Sequence, residues 1–135
     1  MKAYIDSDVI LDVLLGREEF MSSSSQIINN CEIREMDGHT TVLALANIFY
    51  ILNRYSSSNA KKAIQTLREI LAILPVTDRE LGKALSSDFR DVEDGIQYFT
   101  AEYHGCEIII TRNKKDFSYS RLRVLTPNEY LLQTK

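Results

Sequence analysis

The sequence predicts an α/β sandwich around a mostly parallel sheet, and three observations carry the prediction. Strand-like and helix-like signals alternate from one end of the chain to the other. Residues 106–111 contain Ile108, Ile109 and Ile110 in succession, a β-branched run of the kind buried on both faces of a parallel sheet. The 135 residues, 44% hydrophobic with five Gly and two Pro, suit one domain over residues 1–135 with little room for linkers.

Taken in order, residues 3–5 form a short apolar strand that stops at Asp6-Ser7-Asp8. Residues 9–15 are too apolar and too long for a surface loop and read as a helix. Phe20, Ile27, Ile28 and Cys31 share a helical face despite the serines at 22–25. Residues 38–41 leave space for a short strand, residues 42–52 read as a buried helix, and residues 55–58 break it. Ala60, Ala63, Ile64, Leu67, Ile70, Leu71 and Leu74 keep the three-four spacing of a helix that Pro75 ends, and residues 75–77 are the expected next strand.

Thr77-Asp78-Arg79-Glu80 has the form of a capping box: a hydroxyl that accepts from a free helix N–H, with a carboxylate three residues on. Asp91-Val92-Glu93-Asp94 opens another helix, with Ile96, Phe99 and Tyr103 as its expected buried stripe and Gly105 as a left-handed stop. Beyond the isoleucine strand, Val124-Leu125 is a brief strand. Thr126-Pro127-Asn128-Glu129 joins a second capping box to a proline at the first helical position, so the chain closes in a short helix.

Nineteen acidic and sixteen basic residues give a net charge of −3, which excludes a protein that holds nucleic acid by bulk positive field. A polyanion partner needs a local source of cations. Cys31 and Cys106 have no neighbours at zinc-ligand spacing and read as two buried thiols in a reducing compartment. An acid at the sixth residue interrupts any signal peptide, and no run approaches the roughly 20 apolar residues of a membrane span, so the expected location is the cytoplasm, away from any membrane.

Ligands of open parallel sheets collect beyond the carboxyl ends of the strands, and in this sequence the residues there are acids. Asp6 and Asp8 follow the first strand, Asp116 lies a short loop beyond the isoleucine strand, and Asp94 sits in the first turn of the helix before it. Asp91 reads first as a helix cap, and Asp8 serves equally as a cap or as a ligand. Carboxylates gathered at one edge repel one another unless a cation neutralises them or some take up protons. Oxygen donors without Cys or His favour magnesium or manganese, one ion or two. Such ions polarise a phosphodiester and activate water. Arg112, Lys114 and Lys115 beside Asp116 are candidates to hold flanking phosphates, although a basic trio on a loop is most often solvated surface.

These residues resemble a known family. The opening Lys2-Ala3-Tyr4-Ile5-Asp6-Ser7-Asp8-Val9 is similar to that of PIN-domain nucleases, an apolar strand followed by Asp-Thr-Asn. Residues 88–101 resemble the family's third-acid helix, Thr111-Arg112-Asn113 through Asp116-Phe117 its Thr-Arg-Asn…Asp-Phe loop, and residues 124–127 its last strand and helix. The resemblance runs the length of the chain. It implies a three-layer α/β/α sandwich with about five strands and a magnesium- or manganese-dependent ribonuclease. It also implies an RNA substrate, an antitoxin partner in a VapBC-type pair, and a homodimer. It transfers Asp6, Asp94 and Asp116 as catalytic and metal-binding acids, with Asp8 as a further candidate ligand. It places Asn47 where the family has a second acid, and leaves Thr111, Asn113 and Asp91 in supporting roles. Two other readings stay open: a catalytically weak module that binds RNA or protein, which Asn47 favours, and, more distantly, a haloacid-dehalogenase-like phosphatase suggested by Asp6-Ser7-Asp8.

Overall fold

A computed structural model describes residues 1–55 and 57–133 of the chain. β1 (Lys2–Ile5) leads into α1 (Ser7–Leu14) and α2 (Glu18–Glu32), then β2 (Asp37–Thr41), α3 (Val42–Tyr55), α4 (Ser57–Ile70) and β3 (Ala72–Leu74). There follow α5 (Asp78–Leu85), α6 (Val92–Tyr103), β4 (Ile108–Ile110), a 3-10 turn (Lys114–Phe117), β5 (Arg123–Leu125) and α7 (Pro127–Gln133). The five strands form one sheet in the order β3-β2-β1-β4-β5, and every neighbouring pair is parallel.

Side chains of a strand alternate between the faces of the sheet, and this chain builds a core on each. Ala3 and Ile5 of β1, with Ile108 and Ile110 of β4, enter the core made with α1, α2, α3, α4 and α7. Tyr4 and Ile109, between them, enter the opposite core, which contains Phe89, Tyr98, Ala101 and Phe117. The expected three-layer sandwich is therefore observed, and the isoleucine run serves both layers. Each fully buried Ile contributes about 1.5–3 kcal/mol of burial. Cys31 and Cys106 are buried free thiols in different cores, which keeps them from pairing. Burial pushes the Cys31 thiol up to about 12 and that of Cys106 to about 11, so both are inert neutral groups.

Both capping boxes form. Thr77 accepts from the Arg79 amide while Glu80 accepts from the Thr77 amide at 2.8 Å, and Glu129 accepts from the Thr126 amide at 2.9 Å. Gly105 takes a φ of +80° at the end of α6, as a left-handed stop requires. Gly38 on β2 is needed for a different reason: a Cβ there would collide with Cys31 Sγ and Leu71 Cδ2, so the absence of a side chain lets α2 and the end of α4 close onto the sheet.

Four local expectations change. The strand expected at 75–77 lies earlier, at Ala72–Leu74, paired with His39 to Thr41 of β2. Leu71 and Leu74 fit a helical and an extended spacing equally, so the pattern could not place the break. The first helix begins at Ser7 rather than Val9 and is capped by Asp6, not Asp8. The buried face of α6 runs through Gln97, Tyr98, Thr100 and Ala101, whereas Tyr103 is 57% exposed and covered on one side by the Arg79 guanidinium, 3.6 Å from the ring centroid. Of the break expected at 55–58, Ser56 lies outside the described residues; α3 ends and α4 begins on either side of it.

Candidate active site

The chain leaves β1 on one side of the sheet to build β2 and β3, then returns to lay β4 along the other side of β1. That reversal opens a crevice beyond the carboxyl ends of β1 and β4. Asp6 is the first residue past β1. Its backbone N–H donates to the Ile110 carbonyl, and its carboxylate caps α1 by accepting from the Ser7 amide at 2.8 Å. Thr111, the first residue past β4, donates its hydroxyl to the other Asp6 oxygen at 2.8 Å. Asp6 and Thr111 are both buried, so the two strand ends are tied at the base of the crevice.

Asp8, in the first turn of α1, receives the Arg112 amide at 3.3 Å and the Asn113 side-chain amide at 3.2 Å. The Asn113 backbone N–H donates to Thr111 Oγ1. Thr111, Asn113 and Asp8 therefore hold the loop that carries Asp116, which is exposed on the 3-10 turn. Phe117, fully buried next to it, anchors that turn. Asp94 is half-buried in the first turn of α6. Asp91 caps that helix, accepting from the amides of Glu93 and Asp94. A hollow of about 370 Å³ is lined by Asp91, Asp94, Lys115 and Asp116 together with Arg90 and Tyr119.

The electrostatics follow from this crowding. Burial raises the Asp6 carboxyl, and the charges of Asp8 and Asp94 raise it further, against the lowering effect of the Thr111 hydroxyl. Burial also raises Asp8, with Arg112 opposing. Asp94 is pushed up to about 7, by burial first and then by Asp91, Asp116, Glu93 and Asp8. Carboxyls raised first by burial and then by one another form a site short of positive charge. All the donors are oxygens, which suits magnesium or manganese in kind. Among the described residues, no three acidic, His or Cys side chains already converge on one point as a ready-made metal group.

Three of the cations and amides expected here have other partners. The Arg112 guanidinium stacks 4.0 Å from the Phe20 ring centroid and pairs with Asp12 at 2.7 Å, which turns it from a phosphate contact into a structural tie. Lys114 pairs with Glu129 of α7 at 3.1 Å. Lys115 alone of the trio lines the acidic hollow. Asn47 donates its side-chain amide to Glu93 at 2.6 Å. Gln97, one turn along α6, points its amide to the same Glu93 oxygen at 3.5 Å and accepts from the buried Tyr4 hydroxyl.

Sequence reasoning passed over Glu93 and Asp12. Asp12 is fully buried and held by Arg17, Arg112 and Ser24. Its place four residues after Asp8, on the same face of α1, was a readable signal. Glu93 had none, because its contact with Asn47 joins α3 to α6 across 46 residues.

The PIN-domain family model matches residues 2–115. The chain belongs to the PIN-domain family. It is similar to Ribonuclease VapC1 of Aquifex aeolicus, at 29% identity over 134 residues, covering 96% of this chain and 92% of that protein. Among solved structures, a toxin–antitoxin complex from Klebsiella pneumoniae superposes with a TM-score of 0.70 at 19% identity, covering 93% of this chain and 97% of the other. Mycobacterium tuberculosis VapC20, a sarcin–ricin loop cleaving toxin, superposes with a TM-score of 0.65 at 14% identity, covering 79% of this chain and 86% of the other. This PIN-domain membership sets the phosphatase reading aside. Among the described residues no helix is long and apolar enough to cross a membrane.

Proposed function

We propose that this PIN domain is a divalent-metal-dependent endoribonuclease of the VapC kind, the toxin of a toxin–antitoxin pair acting in the cytoplasm. The observation that carries the reading is electrostatic crowding among acids from three separate parts of the chain: the charge of Asp94 bears on Asp6, and that of Asp116 bears on Asp94. Similarity to Ribonuclease VapC1 supports the substrate class, and likeness to toxin–antitoxin structures supports an antitoxin partner. A homodimer belongs to the same reading.

In this account Asp6, Asp94 and Asp116 hold magnesium or manganese, with Asp8 as an additional oxygen donor. When bound, the cation supplies charge to stabilise the phosphorane-like transition state and lowers the pKa of water. The chain's own part is positional. Thr111 fixes one Asp6 oxygen and the Ser7 amide fixes the other. Asn113 and the Arg112 amide hold Asp8. Asp91 sets the pitch of the first turn that carries Asp94. Lys115 contacts a phosphate flanking the one that is cut.

The test is cleavage of single-stranded RNA in manganese by the full chain and by Asp94→Asn. Cleavage by the parent, reduced at least a hundredfold in the variant, supports the reading. Absence of cleavage in a parent that still binds RNA or antitoxin supports the second reading, a non-catalytic binding module, which the neutral Asn47 favours.

A further inference from the structure

A second groove, of about 360 Å³, is walled by α3, which follows β2, whereas the Lys115 hollow is built on the turn after β4; β2 and β4 flank β1, so the two lie on opposite sides of Asp6. Ser7, Asn47, Tyr50, Ile51, Arg54 and Glu93 line it. It meets the acids directly, since Ser7 adjoins Asp6 and Glu93 adjoins Asp94. Its outer wall is one face of α3, where Tyr50 is 64% exposed and the Arg54 guanidinium stands 4.9 Å from the Tyr50 ring centroid. Arg54 has no ion-pair partner among the described residues. The one acid of the groove, Glu93, is engaged by the Asn47 amide, which reduces its repulsion of an anion.

The hollow across the acids repeats this chemistry. There Tyr119 is 54% exposed, edge-on to Phe89 with ring centroids 5.9 Å apart, and Arg90 and Lys115 supply the cations. An exposed tyrosine ring and an unpaired cation thus stand on each side of a row of carboxylates. A net-negative protein cannot draw an RNA to that row by its overall field, so the local cations must do so. Exposed rings offer stacking surface that only unpaired bases can use, because in a duplex each base face is covered by its neighbours.

Resting on the ribonuclease reading above, we propose that Tyr50 and Arg54 form a nucleotide subsite for single-stranded RNA. Tyr50 stacks a base and Arg54 holds the adjoining phosphate. The strand continues across the acids to Tyr119 and Lys115, and its scissile phosphate lies between the two cation–ring pairs. The α3 groove therefore selects single-stranded over duplex substrate.

The experiment measures anisotropy of a short, fluorescein-labelled, random-sequence single-stranded RNA and of the same length of duplex. It uses the full chain carrying Asp94→Asn so that RNA is not consumed. Tyr50→Ala and Arg54→Gln should each weaken single-strand binding roughly tenfold. Tyr50→Phe should restore it, thermal melting should not move, and the preference for single strand over duplex should shrink in Tyr50→Ala. Unchanged affinity in both variants beside a parent that binds would overturn the subsite and leave the ribonuclease reading intact. A change in molecular mass on Tyr50→Ala, by light scattering, with RNA binding unaltered, would also overturn it and make this face an interface between copies. Cleavage by the wild-type chain in manganese is scored separately, and its absence together with absent RNA binding would remove both readings.

Discussion

Asp94 is the residue whose behaviour reports most simply on the acidic crevice. Its carboxyl, ordinarily at 3.8, sits at about 7 in the folded protein. Between those values the folded chain keeps a proton that the unfolded chain has lost, so stability falls as pH rises through the interval. The upward displacements of Asp6 and Asp8 act in the same direction. Urea unfolding in chelator should accordingly give a lower midpoint at about pH 8 than at about pH 5, and manganese should recover more of it at the higher pH. An unchanged midpoint across that range would mean that the acids do not burden one another. Asn47 makes the second residue-scale prediction. Asn47→Glu removes the amide held by Glu93 and sets two carboxylates in contact, so in chelator it should destabilise by roughly 1 kcal/mol. The double variant Asn47→Glu, Glu93→Gln should recover that loss, because the donor and acceptor have only changed places. Equal melting of the single and double variants would show that the contact is energetically idle.

For the elements, the question is what keeps the β4 loop in register with α1. Asp12 answers it from inside α1: fully buried, it binds Arg112 of the loop, Arg17 after the helix and Ser24 of α2. Arg112→Ala leaves that carboxylate with the more distant Arg17, at 3.3 Å, and should cost about 3 kcal/mol. Arg112→Lys should recover only part of this, since an ammonium cannot both stack on Phe20 and direct an N–H at Asp12. Denaturant unfolding of the three proteins checks the order. Comparable stability of Arg112→Ala and the parent would free Arg112 for the role its position in the sequence suggested, a phosphate contact.

Over the whole molecule, the layers were legible because each was written in local chemistry. The isoleucine run, two capping boxes and Gly105 each specify their element within four residues, and all appear where expected. The edges of elements were legible only where a cap marked them; between α4 and β3 no such residue stands, and the strand was expected three residues late. The candidate acids were legible because Asp6 and Asp8 follow β1, Asp116 lies a short loop beyond β4 and Asp94 opens the helix before that strand. Their relations were not, since Asn47 with Glu93 and Arg112 with Asp12 are contacts between elements far apart in sequence. The family likeness covers residues 2–115 and agrees with the sheet that the chain builds. The central claim is that the crevice at the sheet's reversal is a hard-cation site, and calorimetric titration with manganese tests it most directly. Because Asp94 is pushed up to about 7 and Asp6 and Asp8 are raised with it, binding should release protons at about pH 6.5 and almost none at about pH 9, read from the dependence of the heat on buffer ionisation. Asp94→Asn should lose both the affinity and the pH-dependent release. Binding of equal strength in wild type and Asp94→Asn, or no binding in either at millimolar manganese, would contradict the account.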